Sequence, residues 1–291
     1  MKVSICVITY NHEQYIAEAL ESVLSQQTNF LTEIIIGEDY STDGTREICK
    51  KFADKYAGII KLIPAEKNVG MMKNFTNAYK ACNGDYIAFI EGDDYWTDPL
   101  KLQKQIDFLR ANPEYSACFH NVQIKSDRNG EQKEWVLHKE LEKDTFDTED
   151  LLGPWFIASP SFVFVNYPDF EIPDWFYKCA YGDLPIMLLL TLRGKFKYLP
   201  EVMAVYRLHD RGFTTKHHGY DKIIIMTYIY QSFNIHTKYK YVDKIREAVI
   251  YEITRHIPKD IFGTKEKQLG NEGILRKVYG KVKDIMRNEK V

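Results

Sequence analysis

The first hundred residues alternate short apolar runs with amphipathic segments, and this alternation constrains the fold more than any other feature of the chain. The run VSICVIT at residues 3–9 is rich in β-branched residues, which is typical of a strand buried in a parallel sheet. The pattern predicts four strands, at residues 3–9, 33–37, 59–63 and 86–90. Helical spacing predicts a helix capped by Asn11, helices over residues 43–56 and 71–82, and a further helix with Asp98 as its N-cap and Pro99 in its first turn. Repeated strand and helix units with short connections predict an α/β fold with one Rossmann-like, mostly parallel sheet flanked by helices.

The rest of the chain is less regular and then becomes helical. Strand-like segments occur at residues 116–124, 161–165 and 198–206, and a helix is predicted over residues 184–192. Residues 127–149 are polar and predict a loop with an edge hairpin. After Gly219 the pattern is helical, with breaks at Pro258 and residues 263–273. We therefore predict a domain over residues 1–218 and a helical C-terminal extension over residues 219–291.

Charge and cysteine spacing exclude several classes of protein. Thirty-nine Lys and Arg residues against 41 Asp and Glu residues give a net charge of −2, which does not indicate a nucleic-acid binder. Five widely spaced cysteines without a C-x-x-C pair argue against a disulfide framework or a structural zinc site. The sequence has neither the apolar run of a signal peptide nor the ~20 apolar residues of a membrane span. We expect a cytoplasmic protein.

Acidic residues follow two of the predicted strands. Glu38 and Asp39 come after the second strand, and Glu91, Asp93 and Asp94 come after the fourth. Three acids within four residues repel one another unless a cation or buried partners compensate. Mg²⁺ or Mn²⁺ with bound phosphates would do so, because these ions prefer carboxylate and phosphate oxygens. The competing interpretation is a solvated acidic turn, but the preceding apolar strand and the second acidic strand end favour a site. Neither a G-x-G-x-x-G motif nor a P-loop is present.

Five ordered motifs carry a family resemblance. They are SICVITYNHEQYIAEALESVLSQQ near the start, EDYSTDGT at 38–45, EKNVG at 66–70, NGDYIAFIEGDDYWTDPLKLQKQ at 83–105 and GDLPIMLLLTLRGKFKYLPEVMAVYRLH at 182–209. Together they resemble family 2 of the inverting glycosyltransferases, which have a GT-A fold. The resemblance implies transfer of a sugar from a nucleoside diphosphate sugar, with UDP favoured, to a hydroxyl of a glycan or lipid-linked glycan, using Mn²⁺ or Mg²⁺. It also implies a nucleotide-sugar half at residues 1–100 and an acceptor half at residues 101–218.

The resemblance assigns roles to individual residues. Donor contacts fall on Thr9, Tyr10, Glu38, Asp39, Asn68, Lys73, Glu91, Asp93 and Trp96. Metal binding falls on Asp93, Asp94 and His209, and the catalytic base is Asp183. Three positions depart from the family pattern: Glu38 replaces an aspartate, Glu91 begins the D-x-D motif, and Gly182 replaces an acid. From the residues alone, a cap for the helix predicted at 184–192 is the favoured role of Asp183, and the residue could serve in both roles.

Two other functions compete with the enzyme. A non-catalytic module that binds sugar nucleotides or glycans would explain the three departures, whereas the retained Asp93, Asp94 and Asp183 argue against it. A sugar-phosphate nucleotidyltransferase would require a glycine-rich loop with basic residues near the N-terminus. The segment TYNHEQ is not such a loop.

The C-terminal extension carries an excess of positive charge. Its basic residues include Lys238, Lys240, Lys244, Arg246, Arg255, Arg276, Lys277, Lys281 and Lys283. Three roles stay open: a helical cap with a solvated basic face, a peripheral contact with an anionic membrane on its cytoplasmic side, or a homodimer contact. The helical cap is favoured.

Overall fold

The computed structural model describes residues 1–212, 217 and 219–256, which form two compact units. The first contains residues 1–151 and those described from 155 to 212. The second contains residues 152–154 and the described residues from 217 onward. The predicted boundary between residues 218 and 219 stays a prediction. Pro258, residues 263–273 and the basic residues from Arg276 to Lys283 lie outside the described part of the chain.

The first unit alternates strands and helices as predicted. Its strands are β1 (Lys2–Thr9), β2 (Leu31–Glu38), β3 (Ile60–Pro64), β4 (Tyr86–Glu91), β5 (Tyr95–Trp96), β6 (Tyr115–Arg128), β7 (Glu131–Val136), β8 (Thr145–Phe146), β9 (Val163–Val165) and β10 (Lys195–His209). Its helices are α1 (Ile16–Leu24), α2 (Thr45–Lys55), α3 (Met71–Ala81), α4 (Lys101–Ala111), α5 (Thr148–Leu151) and α6 (Asp183–Thr191). Short 3₁₀ helices cover Ser159–Ser161 and Asp174–Lys178.

One ten-stranded sheet unites these strands. Its order is β3-β2-β1-β4-β9-β6-β10-β5, with β7 paired to β6 and β8 paired to β10. Most paired residues lie in parallel ladders, formed by β1 with β2 and β4, β2 with β3, and β6 with β10. β9 runs antiparallel between β4 and β6 and joins the two parallel regions. The predicted fold class, a mostly parallel α/β sheet flanked by helices, is confirmed.

The buried faces explain why these segments fold as they do. α1 buries Ile16, Ala19, Leu20 and Val23, the residues whose spacing predicts the helix. The central strands β1 and β4 are buried along nearly their whole length, as expected for parallel strands covered on both faces. The five cysteines are free and buried, where they act as small apolar groups.

Two predicted helix starts are wrong. Asn11 does not cap α1, because its backbone has a φ of 57° and its side-chain oxygen accepts a hydrogen bond from the Thr42 N–H at 2.8 Å. The helix instead begins at Ile16. α4 begins at Lys101, and Asp98 accepts a hydrogen bond from the Leu100 N–H at 2.8 Å before the helix starts.

The edge hairpin expected within residues 127–149 is formed by β6 and β7. Asn129 and Gly130 connect the strands with φ angles of 54° and 75°, the left-handed conformations that a tight hairpin turn requires. The side chains of β7 are exposed throughout.

The second unit is helical in its described part. α7 (Tyr220–His236) and α8 (Val242–His256) pack together around buried apolar residues that include Ile229, Phe233, Ile245 and Ile253. The Tyr230 hydroxyl donates a hydrogen bond to the Gly153 carbonyl at 3.3 Å, which ties residues 152–154 to this unit. Among the described residues, no helix is long and apolar enough to cross a membrane.

Candidate active site

Strands β1, β2 and β4 run parallel and end at the same edge of the sheet. Thr9 lies opposite Glu38 in the β1–β2 ladder, and Ile8 lies opposite Glu91 in the β1–β4 ladder. Gly92 permits a close approach here, because a Cβ atom at this position would lie 2.7 Å from the Thr9 hydroxyl oxygen. The edge is therefore where the predicted acidic residues meet, as expected for the ligand-binding edge of a parallel sheet.

The carboxylates after β4 are buried and incompletely hydrogen-bonded. Asp93 is 8% exposed and Asp94 is fully buried. Oδ1 of Asp94 accepts a hydrogen bond from the Arg207 N–H at 2.8 Å. Oδ2 of Asp94 and Oδ1 of Asp93 have no hydrogen-bond partner in the described part of the chain. Buried carboxylate oxygens without partners are costly, so these two atoms indicate that a ligand completes the site.

Two histidines and an arginine face this acidic turn. Nε2 of His209 lies 3.0 Å from Oδ2 of Asp93, and Nε2 of His12 lies 3.7 Å from the same oxygen. The guanidinium of Arg207 donates to the Asp93 carbonyl at 2.7 Å and to the Glu18 carboxylate. It also stacks over the Tyr95 ring, 4.3 Å from its centroid. Asp93 thus has two histidines and Arg207 around it, while its Oδ1 has no hydrogen-bond partner among the described residues.

The three acids after β4 have pKa values that diverge. Burial alone would raise the pKa of Asp93, but the charges of His12 and His209 and the hydrogen bond from His209 hold it below its usual value. Burial and the neighbouring Asp93 and Glu91 raise the pKa of Asp94 well above its usual range. Burial, followed by the charges of Asp93 and Asp183, raises the pKa of Glu91 to about 8, although a hydrogen bond from Ser159 opposes this. Bringing these acids together therefore costs free energy in the absence of a cation.

Asp183 joins the cluster from the first turn of α6. It is partly buried, its Oδ1 accepts a hydrogen bond from the N–H of Leu184 at 2.8 Å, and its charge acts on Glu91. Gly182 occupies the N-cap position, so Asp183 is the first helical residue and not the cap. Beside Asp183 and Glu91 lies a pocket whose apolar lining includes Met72, Phe75, Phe89, Ile186 and Met187.

The acids at the end of β2 have, by contrast, complete sets of partners. Glu38 is fully buried and accepts hydrogen bonds from the Ser41 N–H at 2.6 Å and from the guanidinium of Arg46. Asp39 accepts from the N–H groups of Val69 and Gly70, at 2.7 and 2.9 Å. Burial nevertheless raises the pKa of Asp39, since it outweighs these two hydrogen bonds.

The remaining predicted donor residues are spread over the same edge and beyond it. Thr9 is buried, and its hydroxyl oxygen has no partner among the described residues. Asn68 donates to the Asp39 carbonyl at 3.0 Å, whereas Tyr10 and Lys73 are exposed. Trp96 is 4% exposed, and its indole N–H donates to the Pro160 carbonyl at 2.9 Å. The structure thus places Trp96 in the core.

Sequence reasoning missed three residues that the fold brings to the cluster. His12 faces Asp93, and the Tyr15 ring packs against His209 with ring centroids 4.9 Å apart. Tyr206 lies close enough to the acids that their charges, after burial, raise its pKa well above the usual range. His12 and Tyr15 lie between the end of β1 and the start of α1. Their position after a predicted strand end could have indicated that they reach the site.

A divalent metal fits this arrangement in a limited way. The described residues contain no preformed group of three or more His, Cys, Asp or Glu side chains that could hold a metal. Mg²⁺-type ions are often bound by one or two carboxylates together with substrate phosphates. The open oxygens of Asp93 and Asp94 match that requirement.

Comparison with known proteins identifies the family and the fold. The model of the family described as Glycosyl transferase family 2 matches residues 4–167. Rv1520 of Mycobacterium tuberculosis is 38% identical over 217 residues, which is 72% of this chain and 59% of the relative. TuaG of Bacillus subtilis, named for teichuronic acid biosynthesis, is 36% identical over 107 residues, which is 37% of this chain and 41% of the relative. The chain thus spans less than two thirds of the length of these relatives.

Two solved structures share the fold. S. aureus TarS 1-349 in complex with UDP has a TM-score of 0.63 and 19% identity, with 94% of this chain and 76% of TarS 1-349 covered. The mannosyltransferase PcManGT from Pyrobaculum calidifontis, in complex with GDP-Man and Mn²⁺, has a TM-score of 0.58 and 13% identity. It covers 87% of this chain, which covers 72% of PcManGT. At these identities the likeness concerns the fold alone.

Proposed function

Because the chain belongs to glycosyltransferase family 2 and has its GT-A fold, we propose that it is an inverting, metal-dependent enzyme. It would transfer a sugar from a nucleoside diphosphate sugar to a hydroxyl group of a growing polysaccharide or other glycan. Relatives named as glycosyltransferases of polysaccharide synthesis support the glycan acceptor. The UDP bound in a structural neighbour supports uridine as the favoured nucleoside.

One observation supports the proposal most strongly. Oδ1 of Asp93 and Oδ2 of Asp94 are buried without partners in the described structure, at the edge where a parallel sheet binds its ligands. A purely structural acidic turn would be expected to satisfy these oxygens, as the end of β2 does. The Mn²⁺ in a second structural neighbour supports a divalent ion as the missing partner.

Asp93 and Asp94 would hold the metal together with the diphosphate oxygens, with His209 beside them. When bound, the ion would neutralise the diphosphate and stabilise it as a leaving group. His12 and His209 would hold Asp93 in its ionised form, which a metal ligand requires. Arg207 would fix the turn through its bond to the Asp93 carbonyl.

Asp183 would act as the general base. Its carboxylate takes the proton of the acceptor hydroxyl as that oxygen forms a bond to the anomeric carbon. The bond between the anomeric carbon and the diphosphate oxygen breaks, and its electron pair leaves with the diphosphate. The displacement inverts the anomeric configuration and needs no covalent intermediate.

The remaining proposals concern location. A lipid-linked acceptor would bring the enzyme to the cytoplasmic face of a membrane, and the basic C-terminal extension would then contact anionic lipids. A homodimer contact through the same extension is the alternative. Sedimentation of the protein with vesicles of anionic and of neutral lipids tests the membrane contact, and sedimentation of the protein without lipid tests the homodimer.

The experiment that tests the function is calorimetric binding of UDP, GDP and dTDP, each with Mn²⁺ and with EDTA. We expect one nucleotide to bind tightly only with Mn²⁺, and its identity names the base of the donor. If a folded protein binds none of them with Mn²⁺ present, the enzyme proposal is wrong and a glycan-binding module becomes the better explanation. Metal-independent binding of equal strength would remove the proposed role of Asp93 and Asp94.

A further inference from the structure

Trp155 presents a large apolar side chain to solvent close to the candidate active site. Its side chain is 45% exposed, and it precedes by four residues the 3₁₀ helix Ser159–Ser161. Ser159 in turn forms a hydrogen bond with Glu91. A single exposed apolar side chain is common on protein surfaces, so exposure alone does not indicate a binding site.

The second observation is the contact between Trp155 and Tyr206. Their ring centroids lie 5.9 Å apart with an interplanar angle of 43°. Tyr206 sits on β10 next to Arg207, and the charges of Glu91 and Asp183 act on its phenol. Trp155 therefore packs against a ring whose neighbour on β10, Arg207, donates its N–H to Asp94 at 2.8 Å.

This arrangement suits a pyranose ring. A sugar ring has an apolar face of C–H groups, which packs on an aromatic surface, and an equatorial edge of hydroxyl groups, which needs polar partners. An indole provides a large rigid surface at a small cost in conformational entropy. A ring stacked on Trp155 would place its hydroxyl edge beside Tyr206.

We infer that Trp155 is the stacking platform for the sugar ring of the acceptor, with Tyr206 as its inner wall. The inference rests on the proposed function, because it assigns the acceptor side of that same site. The charge around Tyr206 also restricts the class of sugar that the site should bind. The negative charges of Asp93 and Asp183 act on this phenol, so the site should accept a neutral pyranoside and disfavour one that carries a carboxylate or phosphate.

Saturation-transfer NMR on the full chain tests this inference. The probes are the methyl β-glycosides of glucose, galactose, mannose and N-acetylglucosamine, with methyl β-glucuronide as the anionic comparison. Each is measured with Mn²⁺ and the nucleoside diphosphate that binds in calorimetry. We expect the ring protons of at least one neutral glycoside to receive saturation, and those of the glucuronide to receive little.

The chain offers a matched control for the substitution. Trp135 is 44% exposed but lies on the edge strand β7, whose neighbours are exposed side chains of the hairpin. Trp155→Ala should weaken glycoside binding by about tenfold or more, Trp155→Phe should retain most of it, and Trp135→Ala should leave it unchanged. Trp155→Leu, which keeps apolar bulk without an aromatic face, provides the test if the alanine variant fails to fold.

The outcomes separate this inference from the function on which it rests. Loss of the glycoside signal in Trp155→Ala, with nucleotide affinity unchanged within about twofold, supports the platform. Equal signals in Trp155→Ala and Trp135→Ala, or equal binding of the glucuronide, overturn it. A wild-type protein that binds nucleotide but saturates no glycoside also overturns it and leaves the proposed donor site intact. A wild-type protein that binds no nucleotide contradicts the proposed function itself.

Discussion

The strands β2 and β4 both end in buried acids, yet the two ends differ in how those acids are satisfied. At β2, Glu38 bonds to Ser41 and Arg46, and Asp39 accepts two backbone N–H groups. At β4, Asp93 and Asp94 each keep one buried oxygen without a partner in the described structure. The two ends lie on the same edge of the sheet, on either side of β1.

We propose that this difference in hydrogen bonding distinguishes a structural loop, at the end of β2, from a reaction site, at the end of β4. Acids with complete hydrogen bonding stabilise a loop and leave no binding capacity unused. Acids that repel one another and lack partners destabilise the protein when no ligand is bound. Binding of a cation then stabilises the folded protein most strongly at such acids. We therefore propose that the end of β2 shapes the donor edge, whereas the end of β4 is where a metal and diphosphate would bind.

The largest effect is expected from Asp183, whose charge acts on Glu91 at the end of β4. Asp183→Ala should lower transfer by about 10³-fold, within the range for loss of a general base, and should leave nucleotide affinity unchanged. Release of nucleoside diphosphate in the presence of acceptor measures transfer, and calorimetry measures affinity. Asp174→Ala, at the exposed start of the nearby 3₁₀ helix, is the control and should retain activity. Unchanged turnover in Asp183→Ala would remove the base assignment.

A substitution of Asp93 tests the end of β4, where the carboxylate oxygens lack partners in the described structure. Asp93→Asn should weaken nucleotide binding in Mn²⁺ by about 100-fold, because it removes a charged metal ligand, and should change binding in EDTA little. Asp98→Asn is the control, since Asp98 pairs with Lys104 outside the cluster. Equal Mn²⁺-dependent affinity in both variants would show that the open oxygens of the turn have another purpose.

The sequence predicted where acids would gather but not which of them would be satisfied. Strand ends follow from apolar runs, so the meeting of Glu38, Glu91 and Asp93 at one edge was predictable from local pattern. The partners of Glu38 come from Arg46, on the first turn of α2, and from the local turn at Ser41. Those contacts depend on backbone geometry that no spacing rule gives. For the same reason the pattern did not reveal that Trp96 is buried against Pro160, or that His12 faces Asp93.

A substitution of Glu38 tests the end of β2, where the acids have complete hydrogen bonding. We expect it to change stability and not metal binding. Glu38→Gln should lower the free energy of unfolding by about 2 kcal/mol, because it leaves the partly buried Arg46 without its counter-charge. Urea unfolding followed by circular dichroism measures this loss. Glu47→Gln, on helix α2 beside Arg46, breaks an exposed ion pair with Lys50. It should lower the free energy of unfolding by less than about 0.5 kcal/mol. Equal stability of the two variants would contradict a scaffold role for Glu38.

The last prediction concerns Glu91 and the pH dependence of stability without metal. Its pKa is raised to about 8 in the folded protein from an ordinary value of 4.5, so between these pH values the folded chain retains a proton that the unfolded chain has lost. The contribution of this group to stability is therefore complete below about pH 4.5 and is lost as pH rises through 8. Glu91→Gln removes the ionisation, so its melting temperature in EDTA should fall less between pH 5 and pH 8 than that of the wild type. Saturating Mn²⁺ and nucleotide should narrow the difference, because a cation favours the ionised acid. Identical pH profiles for the two proteins in EDTA would mean that Glu91 belongs with the satisfied acids of β2 and not with the strained cluster at the end of β4.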